Sequence, residues 1–148
     1  MIEKLKKLFA ATKHDSVEQS DESIRLACLV MMLETAKADH SLDNDELSAI
    51  QLYAEQHFEL DPETVKMLVQ EAKQKADHAT SLYEFTSLIN ENFDEPKKYQ
   101  VIQSMWRVAY ADGQIDRYEE HIIRRAADLL YVEHARFIEA KLSIKPHE

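Results

Sequence analysis

The same acidic pattern occurs twice in this chain, and the two copies are 73 residues apart. Residues 36–46 read AKADHSLDNDE, and residues 109–119 read AYADGQIDRYE. We call these the first and the second elbow. Each elbow lies between two segments whose apolar residues recur at i, i+3, i+4 and i+7, the spacing of a helix face. The sequence therefore predicts two helix–elbow–helix units that form an internal duplication within one compact domain.

The composition favours an all-α fold. The chain has 148 residues, a common size for one domain, with only one Gly and three Pro and no alternating β-branched segment of the kind that forms strands. Asp61-Pro62 and Asp94-Glu95-Pro96 are helix start signals, and Ser81 to Glu84 has the spacing of a capping box. We expect about seven to eight helices, joined by short connections and starting near residues 1, 21, 43, 62, 81, 94, 116 and 133.

The chain divides into three predicted segments. Residues 1–19 form a short amphipathic helix and a polar loop, residues 20–142 form the helical domain, and residues 143–148 form a polar tail. The first helix, over residues 1–10, carries apolar residues on one side and lysines on the other. It is interpreted either as a helix packed on the domain or as a reversible anchor at a membrane surface.

Charge and hydropathy restrict the cellular locations and the classes of partner that are expected for this protein. A net charge of −10 argues against nucleic acid, which is bound by clustered Lys and Arg, and favours protein partners. No window has the length and apolarity of a transmembrane segment, and no signal peptide is recognisable. We expect a cytoplasmic protein, with peripheral contact at the inner membrane through residues 1–10 as the alternative. The single cysteine, Cys28, is expected in the core.

Helix capping explains part of each elbow. Asp43 with Glu46, and Asp116 with Glu119, have the spacing of a capping box, in which two side chains bind each other's backbone amides. Gly113 stands where a left-handed residue commonly ends a helix. Asp39 and Asp112 are left unexplained, because a carboxylate at a helix C-terminus is unfavourable by about 0.3–1 kcal/mol. Hydrogen bonds from loop amides or a bound cation would compensate.

A divalent cation is thus a second interpretation of the elbows. Ca²⁺, Mg²⁺ and Mn²⁺ all prefer carboxylate oxygens. The second elbow matches the latter half of an EF-hand loop, but Val108 and Tyr110 stand where that loop needs its first ligands, so an EF-hand is not expected. Capping and metal binding both remain open. The candidate ligands are Asp112, Asp116 and Glu119 in the second elbow and Asp39, Asp43 and Glu46 in the first.

The elbow residues resemble the A-D-G-x-[IL]-D-x-x-E signature of the tellurite-resistance TerB-like family. The second elbow matches it throughout, whereas the first has His40 where Gly is usual. The resemblance covers roughly residues 20–142. It implies a bacterial, all-helical domain with two related halves, associated with tellurite and stress resistance, and a related domain occurs in a membrane-anchored DnaJ-like co-chaperone. It implies no reaction, and metal binding by the elbows is a suggestion at the level of the family.

Together these features predict a non-enzymatic binding or scaffold domain. The alternative is a membrane-associated adaptor or a co-chaperone-like module, anchored by the N-terminal helix. An enzyme that uses a carboxylate pair, or His40 with Asp39, is a further alternative, although no fixed catalytic spacing such as H-E-x-x-H is present.

Overall fold

The structure is a computed structural model that describes residues 21–37, 44–78, 81–111, 113 and 115–144. Over these residues it contains seven helices and no strand, which confirms the all-α prediction. The predicted helix over residues 1–10 and the last four residues lie outside the described part. The helices are α1 (21–37), α2 (Asn44–Phe58), α3 (Pro62–His78), α4 (Tyr83–Asn92), α5 (Glu95–Ala109), α6 (Arg117–Leu129) and α7 (His134–Ile144).

Two of the predicted start signals form the expected caps. The Asp61 carboxylate accepts a hydrogen bond from the Thr64 amide (3.3 Å), and α3 begins with Pro62. The Asp94 carboxylate accepts from the Lys97 amide (3.1 Å) at the start of α5. Each carboxylate satisfies an otherwise unpaired amide and lies at the positive end of the helix dipole.

The capping box predicted at Ser81 and Glu84 is wrong. Leu82 occupies the N-cap position of α4, and no side chain caps it. The Ser81 hydroxyl instead accepts a hydrogen bond from the Tyr83 amide (3.3 Å), only two residues ahead. A serine can bind such a near amide in a turn as well as cap a helix, so its spacing to a glutamate does not decide between the two.

The most buried helix is α1. All eight residues from Leu26 to Leu33 are at most 4% exposed, although the sequence predicted only one apolar face. A helix that is buried on every side belongs to the centre of a core. On its exposed margin, Lys37 forms an ion pair with Asp77 of α3, and this contact lowers the pKa of the Asp77 carboxyl.

The second centre of packing is α5, which contacts α2, α6 and α7. Its Trp106 is fully buried, with its ring centroid 5.1 Å from that of Phe137 in α7. Further contacts among helices α2 to α7 join α2 to α3, α4 to α6, and α6 to α7. The core therefore extends from α1 to α7 without a break between the two predicted halves.

Cys28 is buried in α1, as predicted, and interacts with Tyr53 of α2. Burial raises the pKa of the Cys28 thiol to about 12, and a hydrogen bond with the Tyr53 side chain offsets part of that rise. The pKa of Tyr53 is raised by burial and by the neighbouring Cys28. Both groups are therefore neutral at physiological pH, and Cys28 has the environment of a structural rather than a reactive thiol.

An unusual backbone conformation ends α6. Val132 and Tyr131 donate to the carbonyls of Ala127 (2.8 Å) and Asp128 (3.2 Å), the two hydrogen bonds of a Schellman motif. Tyr131 therefore takes the left-handed position, with φ of 60°, where glycine is preferred. Its side chain is 81% exposed, so its packing does not offset the strain.

Replacing Tyr131 with glycine should stabilise the protein. Glycine adopts positive φ freely, whereas other residues lose about 1 kcal/mol there. The matched control is Tyr131→Ala, which removes the same ring but keeps a Cβ. In urea denaturation, we expect the free energy of unfolding of Tyr131→Gly to exceed that of Tyr131→Ala by about 1 kcal/mol. Equal stability of the two variants would show that the backbone at this position is not strained.

Alkaline pH should destabilise the fold through Cys28. Its folded pKa is raised, so the neutral thiol favours the folded state, and this contribution is complete below the pKa of the unfolded thiol. It is lost as the pH rises from about 9 to about 12, at about 1.4 kcal/mol per pH unit. Denaturant titrations at several pH values across this range give the free energy of unfolding of wild type and of Cys28→Ala. This free energy should fall less steeply with pH in the variant than in the wild type. An equally steep fall in the free energy of unfolding of both proteins would show that ionisation of the Cys28 thiol does not cause the alkaline destabilisation.

Candidate functional site

The second elbow links α5 to α6. Tyr110 is the C-cap of α5, and its carbonyl accepts a hydrogen bond from the Gly113 amide (2.9 Å). Gly113 has φ of 88°, as the sequence predicted for a left-handed residue at the end of the helix. A Cβ atom at Gly113 would meet no atom within 4 Å. The backbone conformation, rather than a lack of space, therefore favours glycine at this position.

The predicted capping box of the second elbow is confirmed. The Glu119 amide donates to the Asp116 carboxylate (2.9 Å), and the Asp116 amide donates to the Glu119 carboxylate (3.1 Å). Glu119 is only 2% exposed. Asp112, the third candidate metal ligand of this elbow, lies outside the described residues.

The glutamate of the first elbow is buried like the glutamate of the second. Glu46 is the third residue of α2, just as Glu119 is the third residue of α6, and Glu46 is 1% exposed. The candidate ligands Asp39 and Asp43 lie outside the described residues, as does His40. Where the structure describes both elbows, the duplication thus includes a buried carboxylate at the same helical position.

The burial of these glutamates was not predicted, although a sequence signal for it exists. Glu119 lies on the same helical face as the buried residues Ile123 and Ala126, and Glu46 lies on the same face as Ile50 and Tyr53. A glutamate that continues an apolar stripe points to the core, whereas a glutamate that only caps a helix needs no such position.

The described residues do not by themselves complete a metal site. Among them, no group of three or more His, Cys, Asp or Glu side chains is arranged to hold a metal ion. The structure brings Asp116 and Glu119 together and places Glu46 at the start of α2. Whether any of the six candidate ligands binds a metal stays a prediction.

Both elbows border one groove. Asp45, next to Glu46 in α2, lines it together with Tyr110 and Ala111 at the end of α5. The end of α7 completes the wall, and the groove encloses about 740 Å³. The start of α2 therefore lies beside the end of α5, so that the two elbows reach the same end of the domain.

A cation and an indole lie close to the second elbow. The Lys141 ammonium contacts the Glu120 carboxylate (3.1 Å) and lies 5.3 Å from the ring centroid of Trp106. Within the described residues, the buried Trp106 Nε1 has no hydrogen-bond partner. Lys141 thus connects α7 to both helices that flank the second elbow.

Comparison with known proteins identifies the family. The family model of tellurite resistance protein TerB matches residues 25–142, and the chain belongs to this family. No curated protein and no solved structure matches the chain. In the part of the chain that the structure describes, no helix is both long enough and apolar enough to span a bilayer.

The capping role of Asp116 can be separated from its charge. Asp116→Ala should lower the free energy of unfolding by about 1 kcal/mol, because the Glu119 amide loses its acceptor. Asp116→Asn should keep most of the stability, since asparagine caps a helix about as well as aspartate. Thermal or urea unfolding of both variants measures this difference. A loss as large in the asparagine variant as in the alanine variant would mean that the charge, rather than the cap, stabilises the elbow.

Proposed function

We propose that this TerB-family chain is a non-enzymatic binding domain of the tellurite-resistance type, and that its two elbows form the binding surface. A divalent cation is the first candidate ligand. The observation that carries the proposal is the buried glutamate at the same position in both elbows, Glu46 and Glu119. The elbows also reach the same end of the domain, so their carboxylates can serve one ligand surface.

Capping alone does not account for these glutamates. The helices α3 and α5 are also capped by aspartates, but the third residue of each is exposed and uncharged or basic, Thr64 and Lys97. Burying a carboxylate carries a desolvation penalty that an exposed capping residue avoids. A buried glutamate that recurs in both halves therefore favours a function shared by the elbows beyond starting a helix.

The chemistry of the capping box is compatible with a hard cation. A carboxylate has two oxygens and about four lone-pair directions, so the same group can accept an amide hydrogen bond and also bind a cation. Asp116 and Glu119 would supply oxygens to Ca²⁺, Mg²⁺ or Mn²⁺. Asp112 would complete the second-elbow set, and Asp39, Asp43 and Glu46 form the corresponding set in the first elbow.

The proposed biological setting follows from the family. We infer a scaffold role in bacterial resistance to tellurite or a related stress, in which the acidic surface contacts protein partners. The net charge of −10 favours cationic ligands and basic partner surfaces over nucleic acid. A cytoplasmic location and a peripheral membrane contact through residues 1–10 stay predictions.

An NMR titration tests the elbows directly. Ca²⁺, Mg²⁺ and Mn²⁺ are added separately to the metal-free, ¹⁵N-labelled full chain, and the amides of residues 115–120 are followed. We expect at least one ion to cause saturable changes there, as chemical shifts for Ca²⁺ and Mg²⁺ and as line broadening for paramagnetic Mn²⁺. These changes should be lost in the Asp112→Ala, Asp116→Ala variant.

Asp116→Asn provides the matched control, because it keeps the cap and removes one anionic ligand. Weaker ion binding by this variant, at unchanged thermal stability, would support a direct role for the carboxylate. No change in the spectrum of the wild-type chain at millimolar concentrations of any of the three ions would contradict metal binding and leave the elbows as helix caps.

A further inference from the structure

A recess lies at the end of the domain away from the elbows. The start of α1, the end of α2 and the junction of α4 with α5 form its walls, and it encloses about 440 Å³. The elbows adjoin the opposite ends of α1, α2 and α5. Because α1 runs from residue 21 to residue 37, roughly 25 Å of helix separates the recess from the first elbow. We call this feature the distal recess, and its lining includes Arg25, Phe58, Phe93 and Lys97.

Aromatic side chains form much of the apolar surface of the distal recess. Phe58 and Phe93 are half-buried. The ring of the buried Tyr53 meets that of Phe58 in an edge-to-face arrangement, with 5.6 Å between the centroids, and stacks on the imidazole of His57 at 4.2 Å. Contacts of this kind hold the rings in fixed orientations. The recess therefore offers an apolar surface that exists before any ligand binds.

Two cations line the distal recess, and each lies over one of its phenyl rings. The Arg25 guanidinium is 5.8 Å from the ring centroid of Phe58, and the Lys97 ammonium is 5.6 Å from that of Phe93. In the part of the chain that the structure describes, neither cation forms an ion pair. Acidic residues outnumber Lys and Arg by 28 to 18, so carboxylate partners are plentiful in this chain. Two cations that remain unpaired in one recess therefore favour an anionic ligand.

The carboxylates near the distal recess do not neutralise these cations. Among the lining residues that the structure describes, the only carboxylate is that of Asp21, which is exposed at the start of α1. Asp94 is close to Lys97 in sequence, but its carboxylate accepts a hydrogen bond from the Lys97 backbone amide (3.1 Å) and forms no ion pair with the ammonium. The recess thus keeps an excess of positive charge in a chain whose net charge is −10.

We propose that the distal recess binds a small organic acid, whose carboxylate contacts Arg25 and Lys97 and whose apolar body packs against Phe58 and Phe93. A guanidinium presents a planar set of donors that matches a carboxylate. The volume of the recess lies in the range of small-molecule sites, and its phenyl rings favour a ligand with an apolar body over an inorganic anion. The inference goes beyond the proposed function, because no elbow residue takes part in it.

A pair of matched ligands tests the need for a carboxylate without altering the protein. 3-Phenylpropanoate and its neutral amide have the same apolar body and nearly the same shape. Each is titrated into the ¹⁵N-labelled full chain, and the amides of Arg25, Phe58, Phe93 and Lys97 are followed. We expect saturable shifts with the acid, at a Kd of about 1 mM. The amide should bind about tenfold more weakly, because it loses the charge-assisted hydrogen bonds.

Propanoate and inorganic phosphate test the need for an apolar body. Propanoate keeps the carboxylate of 3-phenylpropanoate but lacks the ring, and phosphate is an anion with no apolar part. Both should bind about tenfold more weakly than 3-phenylpropanoate, because neither buries a ring against Phe58 and Phe93. Phosphate binding as tight as that of the aromatic acid would show a general anion site and overturn the proposal.

Charge removal in the distal recess provides the decisive variant. Arg25→Gln, Lys97→Gln should weaken binding of 3-phenylpropanoate at least about tenfold. The matched control, Lys66→Gln, Arg125→Gln, removes the same charge at exposed positions that do not line the recess and should leave the Kd unchanged. Equal affinity of the wild-type chain for the acid and its amide, or no shift of its recess amides at 10 mM acid, would overturn the proposal.

Two further measurements identify competing occupants. If the tripeptide Ala-Ala-Phe with a free C-terminus binds more tightly than 3-phenylpropanoate, the ligand is the chain end of a protein and not a small acid. The chain's own residues 1–20 precede the recess and include Asp15 and Glu18. If Asp15→Asn, Glu18→Gln shifts the Phe93 and Lys97 amides without any added acid, that segment supplies the carboxylate and the proposal is wrong.

The same spectra keep this inference separate from the proposed function. The amides of residues 115–120 report ion binding at the second elbow, whereas the amides of the distal recess report binding of the acid. Failure of the recess to bind 3-phenylpropanoate, together with intact ion binding, would overturn the inference and leave the proposed function of the elbows in place.

Discussion

The burial of α1 on every side between Leu26 and Leu33 is the constraint on which the rest of the fold depends. From Leu26 to Leu33 every side of the helix is enclosed, so neighbours are required all around it. Burial of this kind stabilises a domain by about 25 cal/mol per Å² of apolar surface removed from water. The contacts of α1 are specific as well as apolar, because Cys28 interacts with Tyr53 of α2 and Lys37 pairs with Asp77 of α3. These contacts connect α1 to α2 and α3, although the partly exposed Lys37–Asp77 pair contributes little to stability compared with the buried apolar surface.

In the second half of the chain, the helix at the centre of the packing is α5, and the elbow that follows it matches the elbow of the first half. There α5 carries the buried Trp106 and packs against α6 and α7, and the capping box at Asp116 and Glu119 sets the direction in which α6 leaves the elbow. Because α2 also packs on α5, the halves share one core rather than forming separate bodies. The duplication is therefore visible in local features, above all the two buried glutamates, more than in independent folding units.

Much of the helical layout could be predicted from the sequence, because its signals are local. Aspartates before the helices and the single glycine act through backbone amides and φ angles within a few residues, and Asp61, Asp94, Asp116 and Gly113 behave as expected. Ser81 did not, since a serine hydroxyl can reach more than one nearby amide. The burial of α1 on every side between Leu26 and Leu33 depends on contacts between distant segments. A periodic pattern identifies an apolar face but not the number of neighbours that cover the helix.

The two most buried helices, α1 and α5, each contain a residue that can report on local unfolding. Trp106 is the only tryptophan of the chain and lies at the contact of α5 with α7, whereas Cys28 is the only cysteine and lies in α1. Fluorescence of the indole follows the packing of the second half, and access of reagents to the thiol follows that of the first. One unmodified molecule can therefore show whether its two halves unfold together or in sequence. The result shows whether the shared core makes the duplicated halves a single cooperative unit.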